Sequence, residues 1–249
     1  MIQLDRHGDI AVVTLVHGKA NALDIEFCES IAAHFESIEK SSARAVVLTG
    51  QGRMFSAGVD LLRLSEGGVD YVRAFLPALH RLYQAVFFHA KPVVAAINGH
   101  AIAGGCVLAC CADRRIAARD GGRIGVTELL VGVPFPPLAF EVMRYATAPQ
   151  YFSDGVLSGA TFAAEQALTR GLVDEVAEPS ALRDRAIAAA EQMAALSPRA
   201  FAMTKGQLRA PVAERVARAG GDTAATDIWT APETLERMRD YVSRTLKKS

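Results

Sequence analysis

The chain has 249 residues, 51% of them apolar and 22% charged, enough for one large domain or two small ones with a true core. Twenty-seven Lys and Arg balance 27 Asp and Glu, for a formal net charge of zero. That balance speaks against nucleic acid as the main partner, since phosphate binding draws on a positive excess, and it leaves room only for a local basic patch. Apolar runs fall short of the roughly 18–20 residues of a membrane span. Met1–Arg6 has neither the basic nor the apolar region of a signal peptide, so a cytoplasmic, membrane-free protein is expected.

In chain order, Ile2 and Leu4 alternate, His7-Gly8-Asp9 reads as a turn, and Ile10 to Val16 is rich in β-branched residues: a hairpin. Ile25, Cys28, Ile31, Phe35 and Ile38 then recur at helical spacing. Ala45–Gly50 is a buried-strand pattern, and Phe55–Asp60 reads as a loop. Val69, Val72, Leu76, Leu79, Tyr83 and Val86 mark a long amphipathic helix. Pro92–Asn98 is a second buried strand, and Gly104 opens a small-residue helix running to about Ala112. Arg114–Ala118 and Arg123–Gly125 are short strand candidates, and Gly132–Pro137 is a rigid loop. From Leu138 the pattern is helical apart from a strand candidate at Val173–Val176. Strand–helix alternation followed by a helical last third predicts an α/β architecture.

Cys28, Cys106, Cys110 and Cys111 have neither zinc spacing nor a disulfide framework. Buried free thiols and no metal site are expected. The GxGxxG, P-loop, HExxH and GxSxG motifs are absent.

Two glycine-containing loops follow buried strands, Ala57-Gly58-Val59 and Ala103-Gly104-Gly105. Glycine lets a backbone approach a ligand closely, and the free N–H groups that open a helix suit a developing oxyanion. Tight helix–sheet packing explains the same residues, and spacing alone favours it. Glu128 sits in an otherwise apolar octet, Gly125–Gly132. Apolar surroundings destabilise a carboxylate and move it toward general-base behaviour, although a solvent-facing or salt-bridged Glu fits the same string.

Several segments in register resemble the crotonase superfamily, the enoyl-CoA hydratase/isomerase family. They are Lys19–Leu23, Phe55–Leu61, Pro92–Gly99, Ala103–Cys106, Asp113, Gly125–Gly132, Ala163–Val176 and Ser197-Pro198. The resemblance spans nearly the whole chain. It implies a spiral of ββα units over residues 1–195 and a helical C-terminal trimerisation region over 196–249, giving a homotrimer or hexamer. It implies an acyl-CoA thioester substrate, CoA being part of that substrate, and no separate cofactor. By the same analogy the N–H groups of Val59 and Gly104 form an oxyanion hole, and one such donor is worth about 3–4 kcal/mol. Ala20, Ala57, Asp60 and Leu61 line the adenine and pantetheine path, and Pro134, Phe135 and Pro136 either shape the acyl wall or form a purely structural loop, the two readings standing equal.

Hydratases of this family carry two glutamates. The first aligns on Val107 here and the second on Glu128. Valine cannot take a proton or orient water, so the two-glutamate reaction is disfavoured. A single base with an oxyanion hole suffices to move a double bond from C3 to C2. Family members of this kind, the Δ3-Δ2-enoyl-CoA isomerases, have an apolar residue at the first position. Arg81-Leu82-Tyr83-Gln84 also resembles them. The expected activity is enoyl-CoA isomerisation. Hydration with a second acid not yet identified (Glu141 being the one candidate), other thioester chemistry such as hydrolysis or decarboxylation, and non-catalytic acyl-CoA binding stay open. Asp113, His100 and Asp60 are expected to be structural. Glu236, Arg237, Arg239, Arg244, Lys247 and Lys248 form a charged C-terminal stretch, read as a solvated face. The resemblance adds that one of its bases can reach CoA phosphates, even those of a neighbouring subunit.

Overall fold

The computed structural model describes residues 1–220 and 223–246, with Thr245 and Leu246 described by backbone alone. Four ββα units follow one another. They are β1 (Ile2–His7), β2 (Ile10–Leu15) and α1 (Ile25–Lys40); β3 (Ala45–Gly50), β4 (Met54–Ser56) and α2 (Leu61–Phe87); β5 (Val93–Ile97), β6 (His100–Ile102) and α3 (Gly104–Cys110); and β7 (Arg114–Ala118), β8 (Ile124–Gly125) and α4 (Glu128–Val131). After these come α5 (Pro137–Ala146), α6 (Pro149–Ser158), β9 (Thr161–Phe162), α7 (Ala164–Thr169), β10 (Glu175–Ala177) and α8 (Leu182–Ala194). Three further helices end the described chain: α9 (Pro198–Ala219), α10 (Thr223–Thr230) and α11 (Pro232–Leu246).

The units wind between two sheets. A six-stranded sheet runs β1-β2-β3-β5-β7-β10, antiparallel only at β1/β2. A four-stranded sheet runs β4-β6-β8-β9, antiparallel only at β8/β9. From the second unit on, the first strand enters the large sheet and the second enters the small one, which is the expected spiral. Strand alternation divides the large sheet's side chains between two faces. Val13, Leu48, Ala95 and Ala117 face the main core with α1 and α2, while Val12, Val47, Val94 and Ile116 face α8.

The structure departs from the sequence reading at three short strands. The loop expected at Phe55–Asp60 begins inside β4, and β6 and β9 had no counterpart. Each has two or three residues, too few for a periodicity, and exists because a neighbour pairs with it. The helix expected from Val69 starts eight residues earlier. Asp60 accepts from the Arg63 N–H and caps α2 at Leu61, and Gly68, at φ 64° and ψ −157°, breaks the helical path before it resumes.

The C-terminal helices dock on their own chain. Lys205 and Arg209 of α9 bind the Asp113 carboxylate at 2.6 and 2.7 Å. Burial pulls Lys205 down to about 8, against the pull of Asp113. From α10, Trp229 donates to the Pro134 carbonyl at 3.0 Å, and from α11, Arg239 donates to the Ser65 carbonyl at 3.0 Å. Among the described residues no helix is long and apolar enough to cross a membrane.

Candidate active site

Two backbone segments are laced together at the end of the small sheet. Leu23 N–H donates to Gly58 O at 2.7 Å, Asp60 N–H to Leu23 O at 3.0 Å, and Ala57 N–H to Ala20 O at 2.9 Å. Leu23 and Val59 thereby form a parallel bridge, and the segment of Ala20 runs beside that of Ala57 to Asp60. Asp24 fixes the first segment. It caps α1 through Phe27 N–H and takes His17 and Arg63, each at 2.7 Å. Burial pushes the Asp24 carboxyl up, but these hydrogen bonds outweigh it and hold it below its usual value.

The third unit supplies the facing segment. Gly58, at φ +85°, lies so close that a Cβ there would stand 2.6 Å from Ile102 O and 3.0 Å from Gly104 N. A Cβ on Gly104 would meet Tyr83 Oη at 2.8 Å, Leu23 Cδ1 at 3.3 Å and Val59 Cγ2 at 3.4 Å. The Val59 and Gly104 loops therefore touch, as the oxyanion-hole expectation requires. Tight packing of the two loops is what the structure shows at these glycines. Ala103, which precedes α3, sits at φ 49° and ψ −126°, where alanine is strained. The sequence reading attached no importance to it. Its N–H donates to Gly125 O at 2.8 Å and its carbonyl accepts from Cys106 and Val107, which holds that conformation between β8 and α3.

Glu128 opens α4 and is 7% exposed. Burial pushes its carboxyl up to about 7, opposed by the backbone N–H groups of Glu128 and Thr127. No neighbouring carboxylate contributes to that rise. Its Oε2 is buried without a hydrogen-bond partner, so the solvent-facing and salt-bridged readings fall away. Tyr83 is 1% exposed and donates its hydroxyl to Gly104 O at 3.1 Å. Burial raises its phenol well above the usual value, and the Glu128 charge adds to that, so this hydroxyl lies within the field of Glu128.

Val107, one turn into α3, is fully buried in the core. Glu141 is taken by Arg215 and, at 3.3 Å, by Arg144, so it forms a structural ion-pair cluster. Asp113 pairs with α9 as described, and Asp60 caps α2. His100 accepts from Arg123 N–H at 3.2 Å on β6. Pro134 and Phe135 follow α4 directly, with Pro134 tied to Trp229 and Phe135 packed near Phe140. The charged C-terminal face is exposed at Glu236, Arg237, Arg239 and Arg244, with Arg237 reaching over Gly132 and Arg239 donating to α2. Arg244 pairs with Asp240 at 3.6 Å, and Lys247 and Lys248 lie outside the described residues. The cysteines are free and buried, and among the described residues no cluster of three or more His, Cys, Asp or Glu could hold a metal.

Known proteins bear on this arrangement. The enoyl-CoA hydratase/isomerase family matches residues 5–231. A Thermus thermophilus protein named as an enoyl-CoA hydratase is 34% identical over 215 residues, covering 84% of each chain. A Mycobacterium tuberculosis protein has been solved under two names. As an enoyl-CoA hydratase it shows 34% identity and a TM-score of 0.84, covering 91% of this chain and 95% of that one. As an enoyl-CoA isomerase it shows 32% identity and a TM-score of 0.81, covering 93% and 98%. Human mitochondrial Δ3-Δ2-enoyl-CoA isomerase, 24% identical, shares the fold at a TM-score of 0.95 over 100% of this chain and 99% of that one. The chain is thus a member of the enoyl-CoA hydratase/isomerase family, within the crotonase superfamily.

Proposed function

We propose that this enzyme is a Δ3-Δ2-enoyl-CoA isomerase with Glu128 as its single proton carrier. The observation that carries this reading is the isolation of Glu128: a buried carboxyl near pKa 7 with a free Oε2 and no carboxylate neighbour influencing it. By the family resemblance Val107 aligns on the first hydratase glutamate, and Glu141 is tied up by two arginines.

The acyl-CoA thioester lies with its carbonyl oxygen toward the N–H groups of Val59 and Gly104. Glu128 removes a proton from C2 of the 3-enoyl chain, and the electron pair moves into the thioester as an enolate. Two fixed N–H donors stabilise that charge without reorganisation. Glu128 then returns the proton to C4, the double bond settles between C2 and C3, and the enolate collapses. Atoms and electrons balance within the substrate, so the step needs no redox partner. The apolar wall of Val107 keeps water from the enolate. A pKa near 7 suits a base that must accept and release one proton in a single turnover. A homotrimer or hexamer in the cytoplasm belongs to the same reading, and light scattering on the purified protein tests the assembly.

Parallel assays with a 3-enoyl-CoA and a 2-enoyl-CoA test the reaction. Rising conjugated-thioester absorbance from the first, without consumption of the second, is the expected result. Consumption of the 2-enoyl substrate would mean hydration. Binding of both with turnover of neither would mean a non-catalytic acyl-CoA binder.

A further inference from the structure

We propose that Tyr83 is a positioning residue of the oxyanion hole, its hydroxyl holding Gly104 so that the Gly104 N–H faces the thioester oxygen. The inference rests on the acyl-CoA reading of the site. It does not depend on which thioester reaction follows.

Three observations converge on this side chain. Tyr83 is fully enclosed on α2, and its one hydroxyl proton is spent on the Gly104 carbonyl at 3.1 Å. The same oxygen stands 2.8 Å from where a Gly104 Cβ would be, so Tyr83, Leu23 and Val59 box in the Gly104 Cα. On the other side of Gly104 lies Ala103 at φ 49°, with no side chain capping α3 there. A strained residue persists only where its surroundings over-determine it. Relaxation of Ala103 would turn the peptide that carries the Gly104 N–H. The hydroxyl of Tyr83 pins the next peptide and resists that turn. Phenylalanine would supply the same buried ring without the pin.

The test uses [1-13C]hexanoyl-CoA, which binds but has no double bond to shift, and reads its carbonyl stretch by isotope-edited infrared spectroscopy. In the wild type the bound carbonyl shifts to lower frequency. In Tyr83→Phe at least half of that shift is lost. With a 3-enoyl-CoA, kcat falls about 10- to 100-fold, less than the roughly 10²–10³-fold cost of removing an oxyanion donor outright, while KM and the midpoint of the acidic pH limb stay put. An equal shift in the two proteins would overturn the role of Tyr83 alone. A moved pH midpoint would also overturn it, because Tyr83 would then act on Glu128. An unshifted carbonyl in the wild type would overturn the oxyanion hole itself. Gly104→Ala provides a second measurement. Its methyl collides with Tyr83 Oη, so Gly104→Ala in the Tyr83→Phe background should recover carbonyl shift relative to Gly104→Ala alone. Independent, multiplying losses in the double variant would count against the contact, even if Tyr83→Phe by itself folds poorly.

Discussion

Gly58 and Gly104 sit back to back, with room for no methyl group between them: a Cβ on Gly58 would lie 3.0 Å from the Gly104 nitrogen and 2.6 Å from Ile102 O. The proposed oxyanion donors are thus positioned by a contact between two loops of adjacent ββα units. Gly58→Ala would also place alanine at φ +85°. It is expected to cut kcat by about 10²–10³-fold, the cost of misplacing one donor. Steady-state kinetics and far-UV circular dichroism on the same preparation check that activity is lost while the fold remains.

Glu128→Gln keeps the shape of the side chain and removes the base. Turnover of a 3-enoyl-CoA should drop by about 10³-fold or more. Affinity for acyl-CoA, measured by calorimetry, should change little. Loss of binding together with activity would contradict a purely catalytic role.

The pH dependence follows from the raised carboxyl. The reaction needs Glu128 ionised, so kcat/KM should fall about tenfold per pH unit below about 7. Stability runs the other way. A folded pKa above the ordinary value of 4.5 means that the native state holds this proton more tightly than the unfolded chain. The resulting stabilisation is fully present below about 4.5 and is lost as pH rises through about 7. Glu128→Gln should therefore be more stable than the wild type at pH 8, by up to about 3 kcal/mol, with the gap closing toward pH 4. Urea unfolding at the two pH values measures it.

Asp113 binds both Lys205 and Arg209, which are themselves buried. Asp113→Asn leaves two buried cations without a counter-charge and should cost about 3–5 kcal/mol. Chemical denaturation should show this, with the remaining folded enzyme keeping the wild-type KM. An unchanged midpoint would mean that α9 is held by its apolar contacts alone.

Glu128 was legible in the sequence as a lone carboxylate in an apolar octet, a statement about residue type at a position, whereas Val107 stood out as a missing partner only through the family resemblance. The hairpin, α1, β3 and β7 were legible because each is long enough to show a period. Tyr83 stood in a segment that resembles the isomerases, but nothing in the string gave its hydroxyl a role. Its place in the amphipathic stripe of α2 is that of a core residue, and only the fold brings its hydroxyl to Gly104. The early start of α2 was hidden by Gly67-Gly68, which interrupt the apolar pattern that Asp60 nonetheless initiates.

The sequence by itself offered a carboxylate in an apolar octet, two glycine-containing loops after buried strands, and an apolar pattern that commits the chain to layered α/β units, while the family resemblance supplied the aliphatic side chain in place of a second acid. Burial of those apolar faces is a local, periodic property, and so it can be read from the string. Tertiary structure decided which groups meet. It brought the Val59 and Gly104 loops together and set Ala103 in a strained conformation. It gave Asp113 to α9 and Glu141 to two arginines, and it left Glu128 Oε2 unpartnered. These outcomes depend on close approach between segments far apart in the chain, and no period or propensity encodes such distances.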